Sequence, residues 1–143
     1  MNNEQNYYAL QLSEHFTLGE FLRSGYAIKH GICNVPTLGD VYCMQQLCQN
    51  VLEPLRHNYG RVTITSGYRC KQLNEGVGGV MNSQHCLGEA ADLYVSNLDA
   101  ACKMRRLLEP TPYDQLIMEP LHRTTRWVHV SYRPDGHNRH QRL

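Results

Sequence analysis

The chain lacks the sequence signals that mark several classes of protein. It has no run of lysine or arginine of the kind that binds nucleic acid, and no apolar run of 18 residues that would cross a membrane. The first residues, Met1–Asn6, have neither the basic start nor the apolar segment of a secretory signal peptide. We therefore expect no nucleic-acid partner, no membrane span and synthesis in the cytoplasm. A role outside the cell would then require another route of release.

Cysteine pairs of the CxxC type are also missing. The six cysteines are Cys33, Cys43, Cys48, Cys70, Cys86 and Cys102. At this spacing we expect mostly reduced thiols, many of them buried as small apolar residues. Their even number leaves a disulfide framework as the alternative interpretation.

The composition is that of a folded domain. Hydrophobic residues make up 41% of the 143 residues and charged residues 19%, which excludes wholesale disorder. The formal net charge of +1 favours no charged partner. Because there is no internal repeat and no shift in composition, we expect residues 1–143 to form a single domain that acts as a monomer.

The first half of the chain is predicted to be mainly helical. Thr17 and Glu20 have the spacing of a capping box, which predicts a short helix over Leu18–Ser24. Apolar residues at three- and four-residue steps predict a longer helix over Leu38–His57, with Pro54 bending or shortening its last turn. Around these helices we expect an extended surface arm at residues 1–14 and a loop at residues 25–36.

The second half alternates between strands and turns. The pattern predicts strands at Arg61–Thr65, Glu89–Val95, Tyr113–Glu119 and Arg126–Tyr132, a helix at Leu98–Leu108 capped by Asn97, a long loop at 70–84 and a turn at 120–125. After Pro134 the sequence is polar and basic, and we expect this tail to fray. Helices followed by antiparallel strands indicate an α+β fold, an antiparallel-rich sheet backed by helices.

A possible metal site combines three side chains from two segments. The segment Ser83–Asp92 offers the imidazole of His85 and the carboxylate of Asp92, and Trp127–Ser131 offers the imidazole of His129. Two imidazoles and one carboxylate form a three-ligand zinc site whose fourth position is open to water. Alternation places Asp92 and His129 on the polar faces of their strands, so the ligands would meet if these strands are neighbours.

Spacing alone leaves other interpretations open. His85 could lie on the surface, Asp92 could cap a turn, and His129, flanked by valines, could be a hydrogen-bonded core residue. Cys86 adjoins His85 and offers sulfur as another zinc ligand. The glycine and alanines around Asp92 favour a metal, because they allow close approach and because a carboxylate on such a face needs a partner.

Three ordered motifs resemble those of a zinc peptidase family. They are the turn Ser66-Gly-Tyr-Arg69, the segment Ser83-x-His85-x-x-Gly88-x-Ala90-x-Asp92 and the strand Trp127-x-His129-x-Ser131. In this order they resemble the motifs of the D-alanyl-D-alanine carboxypeptidase and L-alanyl-D-glutamate endopeptidase family. That family shares its fold with the hedgehog signalling domain. The resemblance covers about residues 16–132, between a polar N-terminal arm and a polar C-terminal tail.

The resemblance implies both a fold and an activity. It implies a hedgehog/DD-peptidase-like sheet backed by helices, with one zinc ion bound by His85, Asp92 and His129. It also implies hydrolysis of D-amino-acid-containing peptides of bacterial peptidoglycan, as a carboxypeptidase or an endopeptidase. A short enzyme of this kind would suit a phage or a prophage, since lysis of the cell would bring it to the wall. The alternative is a recycling role in the bacterial cytoplasm.

The general base does not follow directly from the resemblance. Many family members have an acid three residues before the last ligand, but this chain has Arg126 there. Where the family often has a histidine, two residues before that ligand, this chain has Trp127. In the hedgehog branch a glutamate that ends the preceding strand approaches the zinc water, which makes Glu119 our candidate base and Asp114 the second choice. The alternatives are an exposed charge at a turn for Glu119 and a strand-start cap for Asp114.

Further residues have roles that the resemblance implies. Arg69 would bind a substrate carboxylate or the oxyanion of the tetrahedral intermediate. Ser83 and Gln84 would support the ligands or line the cleft. Trp127 would be either a substrate wall or part of the core. Because an acid is absent at Arg126, the alternative function is a zinc-stabilised binding module without catalysis, as in the hedgehog branch.

Overall fold

The computed structural model of the protein describes residues 3–119 and 126–143. It has a mixed α+β fold in which helices pack against a five-stranded sheet, so the predicted fold class is confirmed. The turn predicted at residues 120–125 lies outside the described residues.

Five strands form the sheet. They are β1 (Ile64–Ser66), β2 (Ala90–Tyr94), β3 (Gln115–Glu119), β4 (Trp127–Ser131) and β5 (Gln141–Arg142). Their order is β1-β2-β4-β3-β5, with antiparallel pairing throughout except that β5 runs parallel to β3. The register places Asp92 directly opposite His129, and His129 directly opposite Ile117.

The helices are mostly short. They are α1 (Asn3–Tyr8), α2 (Leu18–Leu22), α3 (Gly25–His30), α4 (Leu38–Leu47), α5 (Glu53–Tyr59), α6 (Lys71–Gly76) and α7 (Leu98–Leu108). Two irregular helical segments complete the described part, a π-helical turn at Cys48–Leu52 and a 3₁₀ helix at Gln84–Leu87. None of the helices in these residues is long and apolar enough to cross a membrane.

Side-chain caps fix where several helices begin. The main-chain N–H of Thr17 donates to the carboxylate of Glu20 at 2.7 Å, as the predicted capping box requires. Asn97 caps α7 through its side-chain oxygen, which accepts from the N–H of Ala100 at 2.8 Å. The predicted bounds of this helix, Leu98–Leu108, therefore match the observed ones.

The long predicted helix over residues 38–57 is present but not uniform. Between α4 and α5 the chain widens into the π-helical turn, directly before Pro54. Proline lacks the N–H that would bond to the carbonyl four residues earlier, and a wider turn accommodates this loss. The irregularity thus lies before the proline rather than in the last turn.

Two segments predicted to be loops contain helices. Within 25–36 the helix α3 is capped by Ser24, whose Oγ accepts from the N–H of Ala27 at 3.1 Å, and it ends at Gly31. Within 70–84 the helix α6 brings Leu73 and Asn74 into the interior. Both loop predictions were wrong for these stretches, because short helices held by caps and tertiary contacts show little hydrophobic periodicity.

Both ends of the chain are also more ordered than predicted. Residues Asn3–Tyr8 form α1 rather than an extended arm, and α1 contacts α2. At the other end β5 pairs with β3, and the ring of His140 stacks on Tyr113 with centroids 4.0 Å apart. The predicted fraying after Pro134 is therefore wrong.

One apolar cluster joins the helices to the inner face of the sheet. Phe16, Leu18 and Phe21 from the first part of the chain are buried in it together with side chains of β2 and β4. The buried strand residues in this cluster are Ala91 and Leu93 of β2, Leu116 of β3, and Val128 and Val130 of β4. Since side chains alternate along a strand, Asp92 and His129 point to the opposite, polar face.

Candidate metal centre

Three separate elements bring the predicted ligands together. Asp92 and His129 are cross-strand partners at the middle of β2 and β4. His85 lies on the 3₁₀ helix that precedes β2, and it is buried. One ligand atom from each of the three residues lies within 4.8 Å of the others, as binding of one metal ion requires.

The carboxylate of Asp92 lies at the centre of this group. Its Oδ1 is 2.9 Å from Nδ1 of His129 and 3.3 Å from Nε2 of His85. The centroids of the two imidazole rings are 5.1 Å apart, with 62° between the ring planes. Burial raises the pKa of Asp92, but the close contacts with the imidazoles of His129 and His85 outweigh it, so the pKa lies below its ordinary value. Asp92 is therefore the anionic partner that a cation would need.

The main chain of the Ser66–Arg69 turn orients His85. Nδ1 of His85 lies 2.6 Å from the carbonyl oxygen of Gly67, so Nδ1 carries the proton and donates it to this bond. In a neutral imidazole, Nε2 then presents a lone pair toward Oδ1 of Asp92, which is also an acceptor. Two acceptors 3.3 Å apart need a cation or an added proton between them. The donor set therefore fits a metal such as zinc, for which nitrogen and carboxylate oxygen are common ligands.

The sequence model of a protein family, described as Peptidase M15, matches residues 14–131. The chain belongs to the M15 peptidase family. No curated protein sequence matches it closely. The membership confirms the resemblance of the three sequence motifs and indicates a zinc-dependent metallopeptidase with a peptide substrate.

The three predicted ligands of this M15 peptidase lie in a cleft of about 670 Å³. Eight of the candidate site residues from the sequence analysis line this cleft. These are Arg69, Ser83, Gln84, His85, Asp92, Glu119, Trp127 and His129. On the cleft face of β3, Ile117 pairs with His129 and Glu119 pairs with Trp127. Among the described residues that line the cleft, Asp92 and Glu119 are the acidic ones.

Two hydrogen bonds hold Arg69 beside the carboxylate of Asp92. Its Nε donates to Oγ of Ser66 at 3.1 Å and its Nη1 to Oδ1 of Asn74 at 3.0 Å. Its Nη2 lies 3.6 Å from Oδ2 of Asp92. If Asp92 binds a metal, the guanidinium would support the same carboxylate from the side of Oδ2. The cleft still reaches Arg69, which leaves it able to contact a substrate.

Asp114 does not line the cleft. Its side chain is fully buried at the start of β3, where it accepts three hydrogen bonds from Arg139 and one from Nε2 of Gln84. A carboxylate engaged in this way has no free access to a reacting water. The arrangement makes Asp114 an anchor for the C-terminal segment and for Gln84.

Sequence reasoning missed several residues that build the site. Gly67 is needed because a Cβ there would lie 2.6 Å from the ring of Phe21. Gly79 is needed because a Cβ there would lie 2.0 Å from Oδ1 of Asn74, the partner of Arg69. The SGYR motif drew attention to Arg69 but not to its buried partner. Nothing in the polar tail indicated that Arg139 would reach the cleft.

The cysteines take no part in the ligand group. All six are free; Cys48 is buried, Cys33 is exposed and the others are intermediate. The expectation that many would be buried was therefore wrong. Burial raises the pKa of Cys86, and this thiol is not among the converging ligand atoms of the described residues.

Proposed function

We propose that this M15 peptidase hydrolyses peptide bonds of D-amino-acid-containing peptidoglycan stem peptides or crosslinks, using one zinc ion bound by His85, Asp92 and His129. The observation that carries the proposal is the convergence of these three ligand atoms at the floor of an open cleft. When bound, zinc would lower the pKa of a coordinated water toward neutrality and polarise the scissile carbonyl.

Glu119 is the general base in this proposal. It is half-buried at the end of β3, on the same strand face as Ile117, which lies beside His129. Asp92 belongs to the proposed ligand group, and Asp114 forms hydrogen bonds with Arg139. Glu119 is therefore the remaining acid on the described cleft wall. Its carboxylate would accept the proton of the attacking water and return it to the leaving amine. We do not assign this role to Asp114.

The remaining cleft residues orient the substrate and the ligands. Arg69 would donate hydrogen bonds to the oxyanion that develops on the scissile carbonyl, or to a substrate carboxylate. Ser83 supports His85, because its Oγ accepts the main-chain N–H of His85 at 3.2 Å. Gln84 and Trp127 would form walls of the substrate site. We also propose that the chain acts as a single-domain monomer. Phage lysis or another route would bring the protein to the cell wall.

A zinc-stabilised binding module is the second candidate. It is favoured by Arg126, which occupies the position where many related peptidases have an acid. In this reading the cleft would bind wall peptides without cleaving them. Glu119 decides between the two, because the peptidase requires a base and the module does not.

The test uses the zinc-loaded full chain and a panel of crosslinked and uncrosslinked muropeptides, with products identified by mass spectrometry. We expect wild-type protein to release a defined fragment. Glu119→Gln should retain zinc and lose about 10²–10⁴-fold in rate, because it preserves size but cannot accept a proton. Failure of the wild-type protein to cleave any peptide, with binding intact, would favour the binding module. An unchanged rate in Glu119→Gln would remove Glu119 from the mechanism.

A further inference from the structure

The C-terminal segment forms part of the wall of the metal cleft. Its turn is held by Asn138, whose Oδ1 accepts the N–H of Arg133 at 2.7 Å. The next residues run alongside β3, where the N–H of Gln141 donates to the carbonyl of Asp114 at 2.8 Å. Between these two contacts lies Arg139, which lines the same cleft as the predicted zinc ligands.

A buried carboxylate fixes the orientation of Arg139. Nε of Arg139 donates to Oδ1 of Asp114 at 3.0 Å, and Nη2 donates to Oδ2 at 2.8 Å. The Asp114 side chain is 0% exposed, whereas the Arg139 side chain is 50% exposed. This bidentate pair occupies one edge of the planar guanidinium. Within the described chain, Nη1 has no hydrogen-bond partner, so the edge formed by Nη1 and Nη2 remains available to a ligand.

The two ends of β3 carry opposite charges along the cleft. Arg139 is held at the Asp114 end, and Glu119 lies at the far end of the strand. Ile117, beside His129, lies between them. At about 3.3 Å per residue, the start of β3 is about 7 Å along the strand from Ile117. A cation is thus fixed roughly two residue lengths from the position where a bound peptide would be cleaved.

We propose that Arg139 is the specificity residue for a free carboxylate of the substrate, about two residues from the scissile bond. This inference rests on the proposed peptidase function and adds the chemical class that the substrate must present. The exposed edge of the guanidinium binds that carboxylate with two parallel hydrogen bonds, as arginine does at other carboxylate sites. Asp114 acts as a positioning residue, because it fixes the guanidinium and contacts no substrate.

The test compares peptides that differ only in one carboxylate. Two pairs of stem peptides are used: one pair has D-glutamate with its α-carboxylate free or as the carboxamide, and the other has the C-terminal carboxylate free or as the carboxamide. For one of the pairs, wild-type protein should prefer the free carboxylate by about ten- to a hundredfold in kcat/KM. Arg139→Gln should reduce this preference to less than about threefold, mainly by raising KM for the charged peptide.

The matched control is Arg142→Gln. Arg142 lies in the same segment but pairs with Glu109 and does not line the cleft. The Arg142→Gln variant should therefore retain the full preference for the free carboxylate. Because Arg139→Gln leaves Asp114 without its partner, the double variant Asp114→Asn/Arg139→Gln is measured as well, with zinc content and Tm as checks on folding. It should show the same loss of preference.

Two outcomes would overturn the inference while leaving the peptidase in place. They are equal cleavage of both members of each pair by wild-type protein, and a preference that survives in Arg139→Gln and in the double variant. If wild-type protein cleaves none of the peptides, the proposed activity fails, and binding of the same pairs is measured by Trp127 fluorescence. Tighter binding of a free carboxylate that Arg139→Gln abolishes would support Arg139 even then, and equal binding would exclude it.

Discussion

Nδ1 of His85 lies 2.6 Å from the carbonyl oxygen of Gly67, across 18 residues of chain. This bond selects the tautomer in which Nε2 is free to bind a metal. The bond from His85 depends on the position of the Ser66–Arg69 turn, which packs against the main chain of Phe21. In this turn, the N–H of Tyr68 donates to the carbonyl of Phe21 at 2.9 Å. The orientation of a metal ligand is thus coupled to the packing of helix α2 against a turn.

Gly67→Ala should weaken metal binding without altering any ligand. The added Cβ would lie 2.6 Å from the ring and 2.7 Å from Cα of Phe21, so the turn must shift and carry its carbonyl away from His85. We expect a loss of about 10–100-fold in zinc affinity, measured by competition with a chromogenic chelator. Gly25→Ala is the control, since a Cβ there meets nothing within 4 Å. Equal zinc affinity in Gly67→Ala and wild-type protein would contradict this account of His85.

Removal of zinc should lower the thermal stability of the protein, because zinc bound by the three proposed ligands stabilises the folded state. If free zinc exceeds Kd a thousandfold, binding contributes about 4 kcal/mol to the free energy of unfolding. A chelator should therefore lower the Tm of wild-type protein and leave that of His129→Ala, which binds no zinc, nearly unchanged. His137→Ala serves as the control, because His137 is exposed and pairs only with Asp135 in the described structure. A chelator response in His129→Ala equal to that of wild type would place the metal elsewhere.

Gly88→Ala should be far more destabilising than another glycine substitution at a similar backbone angle. Gly88 has φ of +74°, and a Cβ there would lie 2.3 Å from the carbonyl oxygen of Asp40 in α4. Gly136 has φ of +84° with open space around it. We expect Gly88→Ala to cost about 2–5 kcal/mol and Gly136→Ala about 1 kcal/mol, measured by urea unfolding. Similar costs at the two positions would show that backbone angle alone determines the effect.

Asp114 should make stability depend on pH in the acid range. Burial raises the pKa of Asp114, but hydrogen bonds and charge from Arg139 outweigh it, so the folded-state pKa lies below the ordinary value. The carboxylate therefore stabilises the fold above the unfolded pKa of about 4, and this contribution is lost as pH falls through the folded-state value.

Asp114→Asn provides the corresponding measurement. At pH 7 it should lose about 1–3 kcal/mol of unfolding free energy, because charge-assisted hydrogen bonds become neutral ones. Its stability should then fall less steeply than that of wild-type protein as the pH is lowered through the acid range. The unfolding free energies of the two proteins are measured by urea titration from pH 7 into the acid range. If they fall in parallel with pH, Asp114 is excluded as the titrating group.

Local signals made part of this structure predictable. The apolar periodicity and the Asn97 cap predicted α7 with its observed bounds, and strand alternation placed Asp92 and His129 on one face. The proposed ligand set followed from that alternation and from motif resemblance, and the fold brings the three atoms together. The helix and the strand faces depend on residues close together in sequence, which is why sequence alone could indicate them. The pairing of Asp92 with His129, 37 residues apart, was expected from the motif resemblance.

The parts that sequence did not predict depend on distant contacts. Arg139 reaches the cleft because buried Asp114, 25 residues earlier, accepts its side chain. Helix α3 has no apolar stripe and begins at the Ser24 cap. The π-helical turn before Pro54 results from the missing N–H of one residue within an otherwise continuous helix. Polar partners and local backbone adjustments of this kind leave no periodic pattern in a sequence.

The direct pairing of Asp92 with His129 has a consequence for how the sheet assembles. A slip of one residue between β2 and β4 would place Val128 or Val130 opposite Asp92 and turn His129 toward the apolar interior. Such a misaligned chain would have only two of the three proposed zinc ligands in place. Zinc would therefore favour the correct alignment during folding, and the amount of zinc retained by a purified sample would report how much of it has the two strands in register.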